Sequence, residues 1–217
     1  MDSRPNMCGV ILSAGASSRM GRDKALLPWP PAAPGSTPSS NQTLLSAAIA
    51  ALQPFTQAVI VVAGKNAVNL APVIAAKGAL LVENPDPDRG QFSSLQAGLR
   101  EVLNQGLAAA MITLVDCPPL SGGSMEQLCE AYDKALASGK WGVAPEKNGR
   151  HGHPMLVSRN MIDAFLAAPV TSNARQVKWA NPQAIEYVPV PDSLLSIDVN
   201  TPEEYAALAA QSTSQPH

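Results

Sequence analysis

Three basic residues close a run of small side chains near the start of this chain. Val10 to Lys24 reads VILSAGASSRMGRDK: an apolar stretch, then Gly, Ala and Ser, then Arg19, Arg22 and Lys24. Small residues let backbone N–H groups approach oxyanions, and fixed cations beyond them neutralise the charge. That order suits a bound polyphosphate, and so an enzyme acting on a nucleoside triphosphate. The segment is not a P-loop, because no GK[ST] follows at the right spacing. It is not a dinucleotide fingerprint either, because GxGxxG is absent. By itself it also fits a strand-to-helix turn carrying solvated cations.

Four further segments hold chemistry-bearing residues. In TLVDCPPL (Thr113–Leu120), Asp116 ends an apolar run. A carboxylate there is costly to bury unless paired or bound to a cation, although Asp before a Pro-rich segment also caps turns. In SIDVNTPEEY (Ser196–Tyr205), Thr201 already suits the helix cap, which leaves Asp198 in need of a partner. In NPDPDRGQFSSLQAGL (Asn84–Leu99), Gly90, Ser93 and Ser94 stand at a helix start, where capping is the ordinary explanation. In GRHGHPMLVS (Gly149–Ser158), His151 and His153 have no Cys or carboxylate nearby. They read as structural or substrate-facing residues rather than metal ligands.

The elements that must position these residues alternate along the chain. Strands are expected over 7–12, 58–63, 79–82, 109–115, 142–144, 155–157 and 184–188. Helices are expected over 43–52, 66–76, 92–103, 124–137, 160–166 and 201–210. Such alternation marks an α/β domain, a Rossmann-like three-layer fold with a mainly parallel sheet and helices on both faces. Ligands in such sheets bind beyond the carboxyl ends of the strands, which places the Gly-rich loop and Asp116 on one edge. The expected organisation is one domain over 1–217, with a proline-rich mobile loop at 28–42 and a disordered tail at 211–217.

Composition narrows the partners. With 217 residues, 46% hydrophobic and 15% charged, the chain can bury a sizeable core. Aromatics at 4% and a net charge of −2 argue against nucleic acid. No apolar stretch is long enough to span a membrane, and the N-terminus lacks a secretion pattern. Cys8, Cys117 and Cys129 form no CxxC pair, so neither a disulfide framework nor a zinc site is expected. The expected location is the reducing cytoplasm, with neither nucleic acid nor membrane as a partner.

LSAGASSRMGRDKALL closely resembles the signature LAAGxSxRMGxxKxLL of a nucleotidyltransferase superfamily. Within it the chain looks most like the molybdenum cofactor cytidylyltransferases, relatives of the molybdopterin guanylyltransferases. The resemblance runs from Val10 to about Tyr205. It implies that Leu12, Ser13, Ala14, Gly15, Ala16 and Ser17 cradle the triphosphate, with Arg19 and Lys24 neutralising it. The pattern LxDxPxL matches at Asp116 and D[IV]xTPEDY at Asp198, and in both the Asp implies a Mg²⁺ ligand. Gly90, Ser93 and Ser94 correspond to a segment that closes over the nucleotide. Gly152, His153 and Pro154 match a GHP element facing the second substrate.

The resemblance thus implies Mg²⁺-dependent transfer of CMP from CTP to a phosphate monoester, molybdopterin foremost, with release of pyrophosphate. It also implies contact with a molybdoenzyme or its chaperone. The same chemistry with GTP or a sugar phosphate, and a non-catalytic nucleotide sensor, are the alternatives. One segment departs from the family pattern. Where relatives carry LxGDxGAR, this chain has LAAPVTSNARQV (Leu166–Val177), and the proline-rich insert is longer than usual.

Overall fold

Strand β1 (Cys8–Ser13) is buried along its whole length, and its neighbours are parallel strands. Around it lie β2 (Ala58–Ala63), β3 (Leu80–Glu83), β4 (Ala109–Leu114), β5 (Gly142–Lys147), β6 (Arg150–His151), β7 (Met155–Ser158) and β8 (Ile185–Pro189). The helices are α1 (Leu44–Leu52), α2 (Ala67–Ala76), α3 (Gln91–Asn104), α4 (Gly122–Ala137), α5 (Arg159–Ala167), α6 (Ala174–Ala180) and α7 (Pro202–Ser212). The computed structural model describes residues 6–15, 20–32 and 41–212.

The strand order is β3-β2-β1-β4-β7-β5-β6, with β8 paired to β5. Strands β1 to β4 are mutually parallel, whereas β7 runs antiparallel between β4 and β5. The sheet is therefore mixed at one end and parallel at the other, in keeping with a Rossmann-like nucleotidyltransferase fold.

Both faces of the sheet are covered, which explains the unbroken apolar runs of its strands. Ile11, Val59, Val61 and Met111 pack with α1, α2 and α4 on one side. Val10, Leu12, Ile60, Val62 and Ile112 pack with α3, α5 and α6 on the other. The period of two along each strand sorts the residues between these layers. A third, smaller cluster joins Met20, Leu27, Leu44, Val199 and Leu208. It fastens the C-terminal segment to the chain just after the first loop.

Two elements escape the sequence pattern. Helix α6 starts inside the departing segment and ends three residues beyond it, and β6 is two residues long. Helix α7 runs to Ser212, two residues into the expected tail. Of the proline-rich segment 28–42, residues 33–40 fall outside the described ones. Its neck is closed by a Pro28–Thr43 bridge and a bond from Trp29 N to Gln42 O (2.8 Å). The Tyr205 hydroxyl donates to the Pro28 carbonyl and ties this neck to α7.

Candidate active site

Because β1 and β4 are parallel neighbours, their carboxyl ends emerge side by side, with Leu12 opposite Leu114. Val115 N continues the ladder to Leu12 O at 3.1 Å, and Asp116 follows at the sheet edge. Lys24 begins a short 3-10 turn whose N-cap, Asp23, accepts from Ala25 N at 3.0 Å. From there the Lys24 ammonium donates to the Asp116 carboxylate and reaches Asn200 Oδ1 at 3.4 Å. The two paired side chains are only 15% and 17% exposed, so their charges are weakly screened.

Asp198 arrives from the opposite end of the chain. Val199 is fully buried in the third cluster, and its N–H donates to Asp116 O at 2.8 Å. The Cys117 thiol donates to Asp198 Oδ1 at 3.3 Å. Burial, reinforced by the neighbouring carboxylates, pushes this thiol far above its usual range, so it stays protonated and can donate. Further back, Asp192 fixes the same segment to α4. Its carboxylate accepts from Ser121 N (2.7 Å), Ser124 Oγ (3.3 Å) and Leu194 N (3.0 Å).

Asp116, Asp198 and the Asn200 amide are all hard oxygen donors. Among the described residues, no group of three or more His, Cys, Asp or Glu is placed to hold a metal. A pair of carboxylates still suits Mg²⁺, which keeps much of its shell for water and substrate phosphates. The donor set therefore fits a hard divalent cation bound together with a nucleotide.

Beside this cluster opens a cleft of about 730 Å³, within the range of ligand pockets. Ala14 and Gly15 line one side, and Gly90, Gln91 and Ser94 the other. Ser13, Gly15, Lys24 and Asp116 share a smaller hollow of about 60 Å³ at its end. Ser13 is buried, and among the described residues its hydroxyl has no hydrogen-bond partner. Ala16, Ser17 and Arg19 lie outside the described residues. Arg22 lines the cleft, though its sequence position reads as a solvated charge.

Asn66 holds the cleft's floor together. Its Nδ2 donates to Ser13 O (3.0 Å) and to Asp23 Oδ2 (2.7 Å), while Oδ1 accepts from Gly64 N (3.1 Å). One side chain thus joins the ends of β1 and β2 to the turn that carries Lys24. Gly64 permits the approach, since a Cβ there would lie 2.9 Å from Ala14 O and 3.0 Å from Pro87 Cβ.

The opposite wall is set by Gly90, whose φ of 90° is strained for any side chain, and by Asn84. Buried Asn84 donates to Ser93 Oγ (2.8 Å) and Ser94 Oγ (2.9 Å). Ser94 faces the cleft. The Ser93 hydroxyl instead donates to Gly90 O (2.8 Å) and Asp86 O (3.3 Å), so it shapes the loop. Lys65 and Asp88 form an exposed ion pair on this cleft (2.8 Å).

The GHP element interrupts a ladder. Between Val143↔Leu156 and Glu146↔His151 the strand opposite β5 carries two extra residues, a bulge formed by Gly152–Pro154. The bulge directs His153 to β4, where Nδ1 lies 3.2 Å from Ile112 O. A carbonyl only accepts, so Nδ1 carries the proton and Nε2 remains an acceptor. Burial depresses the imidazole pKa, which favours this neutral form. His151 lies apart from this contact, stacked on Tyr187 with centroids 3.6 Å apart.

Asn66, Asp23, Gln91 and Cys117 were not singled out by motif. Only position signalled the first two, which follow strands at the ligand-bearing edge. A basic residue set against a strand-end carboxylate, beside a Gly-rich strand-to-loop junction, suits an enzyme that binds a triphosphate and transfers part of it. Comparison with known proteins agrees: the chain belongs to the MobA-like NTP transferase domain family, which matches residues 9–183.

Molybdenum cofactor cytidylyltransferase of Escherichia coli (strain K12) is 25% identical over 198 residues, covering 90% of this chain and 92% of that protein. A probable molybdenum cofactor guanylyltransferase of Mycobacterium avium (strain 104) is also 25% identical, over 94% of this chain and 95% of its own. Among solved structures, Rv0371c from Mycobacterium tuberculosis H37Rv superposes with a TM-score of 0.74 at 21% identity. It covers 96% of this chain and 99% of its own. A second structure of Rv0371c is a complex with manganese (TM-score 0.65, 20% identity, 94% and 98% covered).

Proposed function

We propose that this nucleotidyltransferase moves CMP from CTP to the phosphate of molybdopterin, with Mg²⁺ as its metal. The observation that carries the reading is the convergence of Lys24, Asp116 and Asp198 beside the cleft. A nucleotide sensor has no need for this combination of charge and donors. Ser13-Ala14 and Arg22 suit the cytidylyl form of the first motif better than the guanylyl form, which usually has two consecutive glycines.

In this reading the acceptor phosphate oxygen attacks the α-phosphorus in line. The bond to the bridging oxygen breaks, and pyrophosphate leaves with the electron pair. Backbone N–H groups of Ala14 to Ser17 hold the triphosphate, while Lys24 and Arg19 offset the charge that develops. Asp116 and Asp198 would hold Mg²⁺, which supplies Lewis-acid stabilisation of the phosphate oxygens when bound. No general base is required, because a phosphate acceptor is already ionised at neutral pH. Free Cys8, Cys117 and Cys129 suit action in the cytoplasm.

The test is pyrophosphate release with each NTP, Mg²⁺ and molybdopterin. CTP should be used in preference to GTP, and Asp116→Ala should abolish turnover with the fold retained. Release with a sugar phosphate alone would overturn the acceptor, and near-normal activity of Asp116→Ala would overturn the metal role.

A further inference from the structure

Across the start of α3 from the nucleotide cleft lies a second pocket of about 300 Å³. The two cavities share Leu12, Gly90 and Gln91, so ligands in them would be neighbours. The second pocket is apolar on one side, where Phe92, Leu95, Ile112, Leu114 and Met155 meet. Its polar side brings together His153 and Lys178. Neither the first motif nor the two aspartates contribute to it, apart from Leu12.

Lys178 stands on α6, one residue beyond the segment that departs from the family pattern. Among the described residues its ammonium makes no hydrogen bond or ion pair with a carboxylate. Burial holds its pKa below the usual lysine range, and Arg175 adds to the effect. A partly desolvated cation without an acceptor is an unfavourable state that a ligand oxygen would relieve. His153 adds an acceptor, Nε2, because Nδ1 is committed to Ile112 O. A sugar would leave several hydroxyls unpaired against the apolar residues, whereas a flat ring would bury its faces there and present polar atoms only at its rim.

We propose that this pocket receives the flat heteroaromatic part of the acceptor and that Lys178 reads a ring carbonyl or anionic oxygen on it. The inference rests on the transfer reading above and adds the recognition element within it. Helix α6 is then a specificity device, because it carries Lys178 to the pocket.

The experiment compares wild type with Lys178→Met and Lys178→Arg, using molybdopterin as acceptor and varying each substrate. Loss of one charge-assisted hydrogen bond should raise the acceptor KM by about tenfold in Lys178→Met. The CTP KM and kcat at saturating acceptor should be unchanged, and Lys178→Arg should recover part of the loss. An unchanged acceptor KM overturns the proposal, as does a parallel loss of CTP binding. If wild type releases no pyrophosphate with any acceptor, the transfer reading fails instead. Calorimetric binding of molybdopterin without nucleotide then decides the pocket alone: binding kept by wild type and lost in Lys178→Met supports it, and equal binding overturns it.

Discussion

The Lys24 ammonium donates to the Asp116 carboxylate across 92 positions of sequence. In the free protein the cation is therefore bound to the residue that the transfer reading assigns to the metal. Lysine and metal compete for Asp116 until a triphosphate arrives to draw the ammonium to its oxygens. Lys24→Met should abolish turnover and yet strengthen binding of Mn²⁺ in the absence of nucleotide. Removing one nearby positive charge is worth roughly 1–4 kcal/mol at intermediate dielectric, so the gain should be at least about fivefold. A Mn²⁺ titration followed by electron paramagnetic resonance reads it, and weaker binding by the variant would refute the competition.

Asn66 acts on the same group at one remove. Its three hydrogen bonds join Ser13, Gly64 and Asp23, and Asp23 caps the turn that carries Lys24. Asn66→Ala leaves a buried strand end underbonded and should cost about 1–3 kcal/mol of stability. It should also raise the nucleotide KM more than it lowers kcat, because the cradle loosens while Lys24 and Asp116 remain. Thermal unfolding together with steady-state kinetics measures both. A fall in kcat at unchanged KM would show that Asn66 does not shape the nucleotide cleft.

The parallel half of the sheet was legible because its strands are short apolar runs between helical periods, and β2 falls on its expected bounds, 58–63. Helix α6 was not, since seven residues between prolines show little periodicity. Its one local signal is the Asn173-to-Gln176 spacing of a capping box, which the structure forms. The motifs placed Asp116 and Asp198, but no pattern in the chain announces that Cys117 would donate to Asp198. That contact depends on Val199 packing against Leu27 and Leu44, a tertiary event. Ser93 and Ser94 look equivalent in sequence. They separate because the first turn of α3 sends one hydroxyl back to Gly90 O and turns the other to the cleft.

Asp192 makes acid stability measurable. Burial raises its pKa, but bonds from Ser121 N, Leu194 N and the hydroxyls of Ser121 and Ser124 outweigh this, and the net shift is downward. A folded-state pKa below the unfolded one means that folding favours the ionised form. The resulting stability is fully present above the unfolded value, about 4, and is lost as pH falls through the folded value. Asp192→Asn should be less stable at neutral pH by about 1–2 kcal/mol. It should also lose less stability on acidification than wild type does. Denaturant titrations at a series of pH values test this, and parallel wild-type and variant curves would contradict it.

Cys117 yields the last prediction. Thiolate is the reactive form of cysteine, and burial with two adjacent carboxylates disfavours it. Alkylation of Cys117 at mildly alkaline pH should therefore be far slower than in the unfolded chain, although the residue is only half-buried. The protonated thiol has a task, because it donates to Asp198 Oδ1 and holds that carboxylate beside Asp116. Cys117→Ser keeps a donor and should keep the metal requirement. Cys117→Ala removes it, frees the Asp198 side chain and should raise the Mg²⁺ concentration for half-maximal activity several-fold, the effect of losing about 1 kcal/mol. Equal Mg²⁺ curves for the two variants would mean that the thiol fills space and nothing more.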